Sequence, residues 1–187
     1  YDIFIDSKSA VWIGTWSGGI AKYTPYGSHF LGENYYLTSE SKFGVVTSFA
    51  PSVYKQCVCI GTENNGLYIY NYAISEVMKR YNSPVHIKAM LRYKDKILLG
   101  TLEGVFYFDE ITGAIEELEI EAFRNIDPIV SSMVIKDGIL YVATREYGEL
   151  EYNMITKEEK VYNTSNNRLS SNSVWQIYVD GQYNVYL

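Results

Sequence analysis

The stretch "VWIGTWSGGIAKY", residues 11–23, decides the fold. Its centre, "GTWSGG", has the glycine density of a phosphate-binding loop. That chemistry needs Lys followed by Ser or Thr after the glycines, and a helix that presents its N-terminus to the phosphate. Here Ala21, Lys22 and Tyr23 continue a strand instead. The stretch also recurs, as "VCIGTENNGLYIY" (58–70), "ILLGTLEGVFYF" (97–108) and "YVATREYGELEY" (141–152). A fifth copy begins at "VYL" and ends at Leu187. The supposed phosphate positions vary from copy to copy, so the phosphate reading falls.

What recurs is architectural. Thr15, Thr62, Thr101 and Thr144 mark one place in each copy, at intervals of 47, 39 and 43 residues. Gly14, Gly61 and Gly100 precede three of them, with Ala143 in the fourth. Gly19, Gly66, Gly104 and Gly148 follow, and then an aromatic residue: Tyr23, Tyr70, Phe108 and Tyr152. Upstream lie "YDIFID", "VVTSFAPS", "HIKAMLRY", "VSSMVIKDG" and "VWQIYVDG". Asp137–Gly138 and Asp180–Gly181 are hairpin turns between apolar runs. A weaker strand closes each unit, as in "IEELEI" (115–120) and "KVYN" (160–163).

Four short strands per 40–50-residue unit are the mark of a β-propeller blade. The second strands ("VWI", "VCI", "ILL", "YVA") are apolar on both faces, as sheets packed on both sides require. A β-sandwich also has short strands but does not repeat one motif four times. The fold class is therefore all-β: a β-propeller segment of four four-stranded antiparallel blades plus part of a fifth. The expected blades are 1–38, 45–82, 85–121 and 129–163, with a partial blade at 173–187. No strand at the N-terminus is left over to complete blade five, so an open arc or incomplete ring is expected. Its exposed apolar ends predict a homodimer or other self-association.

Composition bounds the function. The chain has 187 residues, 47% hydrophobic and 20% charged, with formal net charge −6. That suits one globular domain. Without a Lys/Arg block it excludes nucleic acid and anionic membrane surfaces as main partners. The 19 Tyr favour strands. No apolar run is long enough for a transmembrane helix, and no signal peptide is evident, so no direct membrane insertion is expected. The sequence begins at Tyr1 and reads as a piece of a longer protein. Cys57 and Cys59, on one face of a strand, are expected as reduced core residues.

"LSSNSVWQIYVDGQYNVYL" (169–187) resembles the two-component regulator propeller repeat. The matching residues are Leu169, Ser170, Asn172, Val174, Ile177 and Asp180, and again Val11 to Thr15, Gly18, Gly19 and Ile20. Cys59, Leu98 and Tyr141 depart from its Trp, and Ala143 from its Gly. The resemblance covers essentially the whole chain. It implies the periplasmic sensor region of a Bacteroides-type hybrid two-component system, with an oligosaccharide ligand. The rest of the sensor chain, including a histidine kinase, would then lie in other segments.

In propellers the loops between strands two and three share a face with the loops between blades, and such loops carry function. A sugar site needs an aromatic platform and planar polar groups. Trp16, Asn64, Asn65, Arg145, Glu146 and Tyr147 supply both types, although loop-tip residues need have no function. Trp12 and Trp175 fall within strands and are expected in the core. Glu116, Glu117, Glu119 and Glu121, with Leu118 and Ile120 interleaved, read as a solvated outermost strand. His29 and His86 lack catalytic or ligand neighbours in sequence. No catalytic residue, metal or cofactor is assigned. An enzyme such as a lyase or hydrolase would need convergent acid and base groups, and a pure interaction scaffold would need no site.

Overall fold

The computed structural model describes residues 2–16, 19–23, 30–31 (backbone only), 43–82, 86–166 and 168–187. Ser17, Gly18 and His29 lie outside the described residues, as do the stretches 32–42 and 83–85.

Hydrophobic alternation and tight turns give four antiparallel four-stranded sheets, each of consecutive strands. The first holds β1 (Ile3–Ile5), β2 (Val11–Gly14), β3 (Ile20–Tyr23) and β4 (Phe30–Leu31). The second holds β5 (Val46–Pro51), β6 (Cys57–Thr62), β7 (Leu67–Asn71) and β8 (Glu76–Tyr81). The third holds β9 (Ala89–Tyr93), β10 (Lys96–Gly100), β11 (Val105–Phe108) and β12 (Ile115–Glu117). A single 3₁₀ turn, Glu121–Phe123, then leads to β13 (Val130–Lys136), β14 (Ile139–Thr144), β15 (Glu149–Asn153) and β16 (Glu159–Tyr162). The pair β17 (Tyr178–Val179) and β18 (Val185–Tyr186) starts a fifth sheet. The innermost strands pack in succession, β1 on β5, β5 on β9, β9 on β13 and β13 on β17. This is the expected propeller, with four full blades and part of a fifth.

The core is four apolar layers, one between each pair of successive blades. Trp12 and Tyr68 are buried in the first layer, Cys59 and Phe108 in the second, Leu98 and Leu140 in the third, and Tyr141 and Val174 in the fourth. Each large side chain so buried contributes about 1.5–3 kcal/mol. Cys57 and Cys59 are buried free thiols, as the sequence suggested. Burial, reinforced by the Glu110 carboxylate, pushes the Cys59 thiol well up.

The repeated Thr closes each turn between strands two and three. Thr62 Oγ1 donates to the Gly66 carbonyl (2.7 Å) and accepts from the Asn65 N–H (3.0 Å). Thr144 does the same with Gly148 (2.9 Å) and Tyr147 (3.0 Å). Thr15 and Thr101 donate likewise to Gly19 and Gly104. The Thr carbonyl then accepts from the next blade: from the N–H of Val46, Ile87, Val130 and Val174 in turn. One residue type thus ties every turn to the following blade. The preceding Gly permits close approach, since a Cβ on Gly100 would stand 2.5 Å from Val130 Cγ1. Gly66 has φ +77°, and a Cβ there would collide with the Tyr81 carbonyl.

Two sequence expectations change. Trp175 is not a core residue: it is 64% exposed and precedes β17 instead of lying in a strand. The outermost acidic strand is shorter than expected. Only Glu116 and Glu117 belong to β12, while Glu119 lies beyond it and Glu121 opens the 3₁₀ turn. Leu118 and Ile120 turn inward and are buried.

Candidate functional site

The innermost strands frame a pocket of about 380 Å³ on the blade axis. Aligning the lead-in segments explains its lining. Each begins with a buried apolar residue: Val46, Ile87, Val130 and Val174. The next residue faces the pocket: Thr47, Lys88, Ser131 and Trp175. So does the one after it: Ser48, Ala89, Ser132 and Gln176, with Asp2 from the first blade. The first of these two positions is polar in three blades of four and admits a large exposed side chain, which is why Trp175 leaves the core.

Hydrogen bonds fix this ring. Thr47 Oγ1 donates toward the carbonyls of Gly61 (3.1 Å) and Ile87 (2.5 Å), spanning its own blade and the next. Ser131 repeats this with Ala143 (3.1 Å) and Val174 (2.5 Å). Both sit at register shifts, between Val46 and Ser48 and between Val130 and Ser132. Such bulges re-aim a side chain. Lys88 is ion-paired with Glu63, and His86 Nδ1 lies 3.7 Å from the same carboxylate. The Asp2 carboxylate accepts from the Phe49 N–H (2.7 Å).

The residues singled out in the sequence separate here. Arg145 joins the pocket rim, its guanidinium 3.4 Å from the centre of the Trp175 ring. A stacked Arg and indole form a flat, charged platform. Glu146 is exposed beside it in sequence, and Asn64 is exposed at the corresponding turn of blade two. Asn65 is half-buried, with its N–H spent on Thr62. Trp16 is exposed, and neither it nor the two asparagines lines the axial pocket. Tyr147 lines a different pocket, near the outer end of blade four. Lys88, Ser131 and Trp175 were missed by sequence reading. The signal was available, because all follow the buried apolar residue that starts a blade.

A second buried cluster joins blades two and three. The Glu110 side chain is fully buried and ion-paired with Arg92. It also accepts from Ser52 Oγ, from the Val53 N–H (3.2 Å) and from Cys59 Sγ (3.2 Å). Among the described residues, the axial lining holds one carboxylate, Asp2. Such a ring can orient a polyhydroxylated ligand and stack a flat apolar face.

Several solved structures share this fold. One is the extracellular domain described as belonging to the one component system BT4673 of B. thetaiotaomicron, with 18% identity and TM-score 0.68. The match covers 99% of this chain and 31% of that one. Another is the extracellular domain described as belonging to the hybrid two component system BT3049 of the same organism, with 23% identity and TM-score 0.65. It covers 98% of this chain and 25% of that one. The computationally designed Ika8 protein is 12% identical at TM-score 0.61, over 95% of this chain and 52% of that one. The chain thus spans a third or less of the two bacterial domains. These likenesses show the fold. No family model matches the chain, and no curated protein matches it. Among the described residues, no helix is long and apolar enough to cross a membrane.

Proposed function

We propose that this chain is a ligand-sensing propeller segment from the periplasmic region of a hybrid two-component system. Its ligand is an oligosaccharide released from polysaccharide, and its signal controls genes for carbohydrate use through a kinase elsewhere in the protein. The segment itself binds and does not catalyse. The observation that carries this reading is the Arg145–Trp175 stack on the rim of a polar axial pocket. Aromatic platforms beside hydrogen-bonding groups suit sugar rings. The shared fold with extracellular domains of B. thetaiotaomicron signalling systems supports the setting. Calorimetric titration of an oligosaccharide library tests it. Saturable binding without product, weakened at least tenfold by Trp175→Ala, is expected. Product formation, or silence across the library, overturns it.

A further inference from the structure

The connection between blades three and four runs over 118–129, whereas that between blades two and three runs only over 82–88. The extra length holds the 3₁₀ turn. Blade four fixes this turn, because the Glu159 carboxylate on β16 accepts from the N–H groups of Glu121 (2.8 Å) and Ala122 (2.9 Å). So held, Phe123 and Ile126 wall a pocket of about 240 Å³ together with Leu150 and Val161. Leu150 is buried in the third core layer, and Phe123 and Val161 pack on the same layer. One side of the pocket is therefore apolar and anchored to the core.

The remaining lining is polar. Asn163 follows β16, Asn172 lies in the connection to blade five, and Tyr147 sits in the turn between β14 and β15. The two asparagines are held alike. Asn163 Oδ1 accepts from the Asn166 N–H (3.1 Å), and Asn172 Oδ1 from the Thr164 N–H (2.8 Å). Their oxygens are spent on the loop, while among the described residues neither Nδ2 has a partner, and nor has the Tyr147 hydroxyl. Glu149 turns its side chain to the opposite face of β15, with Ala143 and Tyr141. No other charged residue lines the pocket among the described residues. An asparagine amide whose oxygen is occupied offers only donors. The matching ligand is therefore uncharged, presents an acceptor with nothing to donate, such as a carbonyl, and carries a small hydrocarbon group for the apolar wall. A volume below the roughly 300–1,000 Å³ of most ligand pockets admits a single ring.

We propose that this pocket binds a sugar ring carrying an acetamido group. Its carbonyl oxygen accepts from the Nδ2 groups of Asn163 and Asn172, its methyl packs on Phe123 and Ile126, and the Tyr147 hydroxyl serves a ring hydroxyl. The site shares no lining residue with the axial pocket, so its fate does not depend on the sensing proposal. N-acetylglucosamine is the probe, with glucose and glucosamine as controls. Saturation-transfer NMR on the whole 187-residue chain should mark the acetyl methyl more strongly than the ring protons. Calorimetry should show tighter binding of the probe than of either control. Asn172→Asp keeps the oxygen that holds the Thr164 N–H and replaces the donor by a second acceptor. It should weaken binding about tenfold or more, roughly the worth of one hydrogen bond, while circular dichroism confirms its fold. Asn163→Asp should act alike, and Trp175→Ala should leave this binding unchanged. Binding that survives both asparagine substitutions but is lost in Trp175→Ala puts the probe in the axial pocket and overturns the proposal. Equal affinity for glucose, or no saturation transfer to the acetyl methyl, overturns it too.

Discussion

Glu110 and Glu149 carry the same side chain into the interior and meet opposite conditions. Glu110 sits where blades two and three join, surrounded by Arg92, Ser52, the Val53 N–H and the Cys59 thiol. Glu149 replaces an apolar residue at the edge of blade four, has an unpartnered Oε1, and feels another carboxylate. Burial is nearly equal, so burial does not separate structure from function. The partner set does: a carboxylate supplied with donors from two blades is a fastener, and one denied them breaks the apolar repeat without fastening anything.

The sharpest way to break this contrast is to remove the fastener. Glu110→Ala takes the carboxylate from the Arg92 guanidinium, which keeps the Pro51 and Asp95 carbonyls, and takes the acceptor from the Ser52 hydroxyl at a blade junction. Breaking a buried pair from one side costs about 3–5 kcal/mol. Urea denaturation should show that loss, and a loss below about 1 kcal/mol would mean that solvent already shares the pair.

Next in size is a pH effect confined to Glu149. Its folded value, about 8, lies above the ordinary 4.5. The folded chain therefore holds a proton that the unfolded chain releases. The contribution is full below about 4.5, shrinks as pH rises, and is lost through about 8. The difference amounts to a few kcal/mol. Stability measured at pH 5 and at pH 8.5 should fall by more in the parent than in Glu149→Leu. Parallel pH curves for the two proteins would place the titration elsewhere.

At fixed pH 7 the same substitution restores the repeat. Glu149→Leu removes an unsatisfied buried group and inserts the residue that blade two carries as Leu67. Relief of about 1–3 kcal/mol is expected, read as a higher urea midpoint with an unchanged slope. A destabilised variant would show that Glu149 has a donor after all.

The sequence shows the blades and hides these two residues for different reasons. The Thr and Gly positions are legible because each performs a local task, closing a turn or admitting a neighbour, that recurs at every copy. Glu149 was legible in principle: it breaks a column formed by Ile20, Leu67 and Val105. Trp175 was misread because residue type outweighed its column, which holds Thr47, Lys88 and Ser131. Glu110 had no such signal. Its partners come from residues 18, 51 and 58 positions away in sequence and meet only when two blades pack.

The smallest test concerns how that fastener is shared. Ser52→Ala deletes one donor to Glu110 and leaves Arg92 and the Val53 N–H in place. One hydrogen bond among several to a carboxylate should cost about 1–2 kcal/mol. The cost belongs to the pair, so it should nearly vanish when Ser52→Ala is made in the Glu110→Ala background. Residues in one network couple, whereas independent ones add. Equal losses in both backgrounds would mean that Ser52 supports its own turn, through the Tyr54 N–H it accepts at 3.1 Å, and that Glu110 is held by Arg92, the Val53 N–H and Cys59 without it.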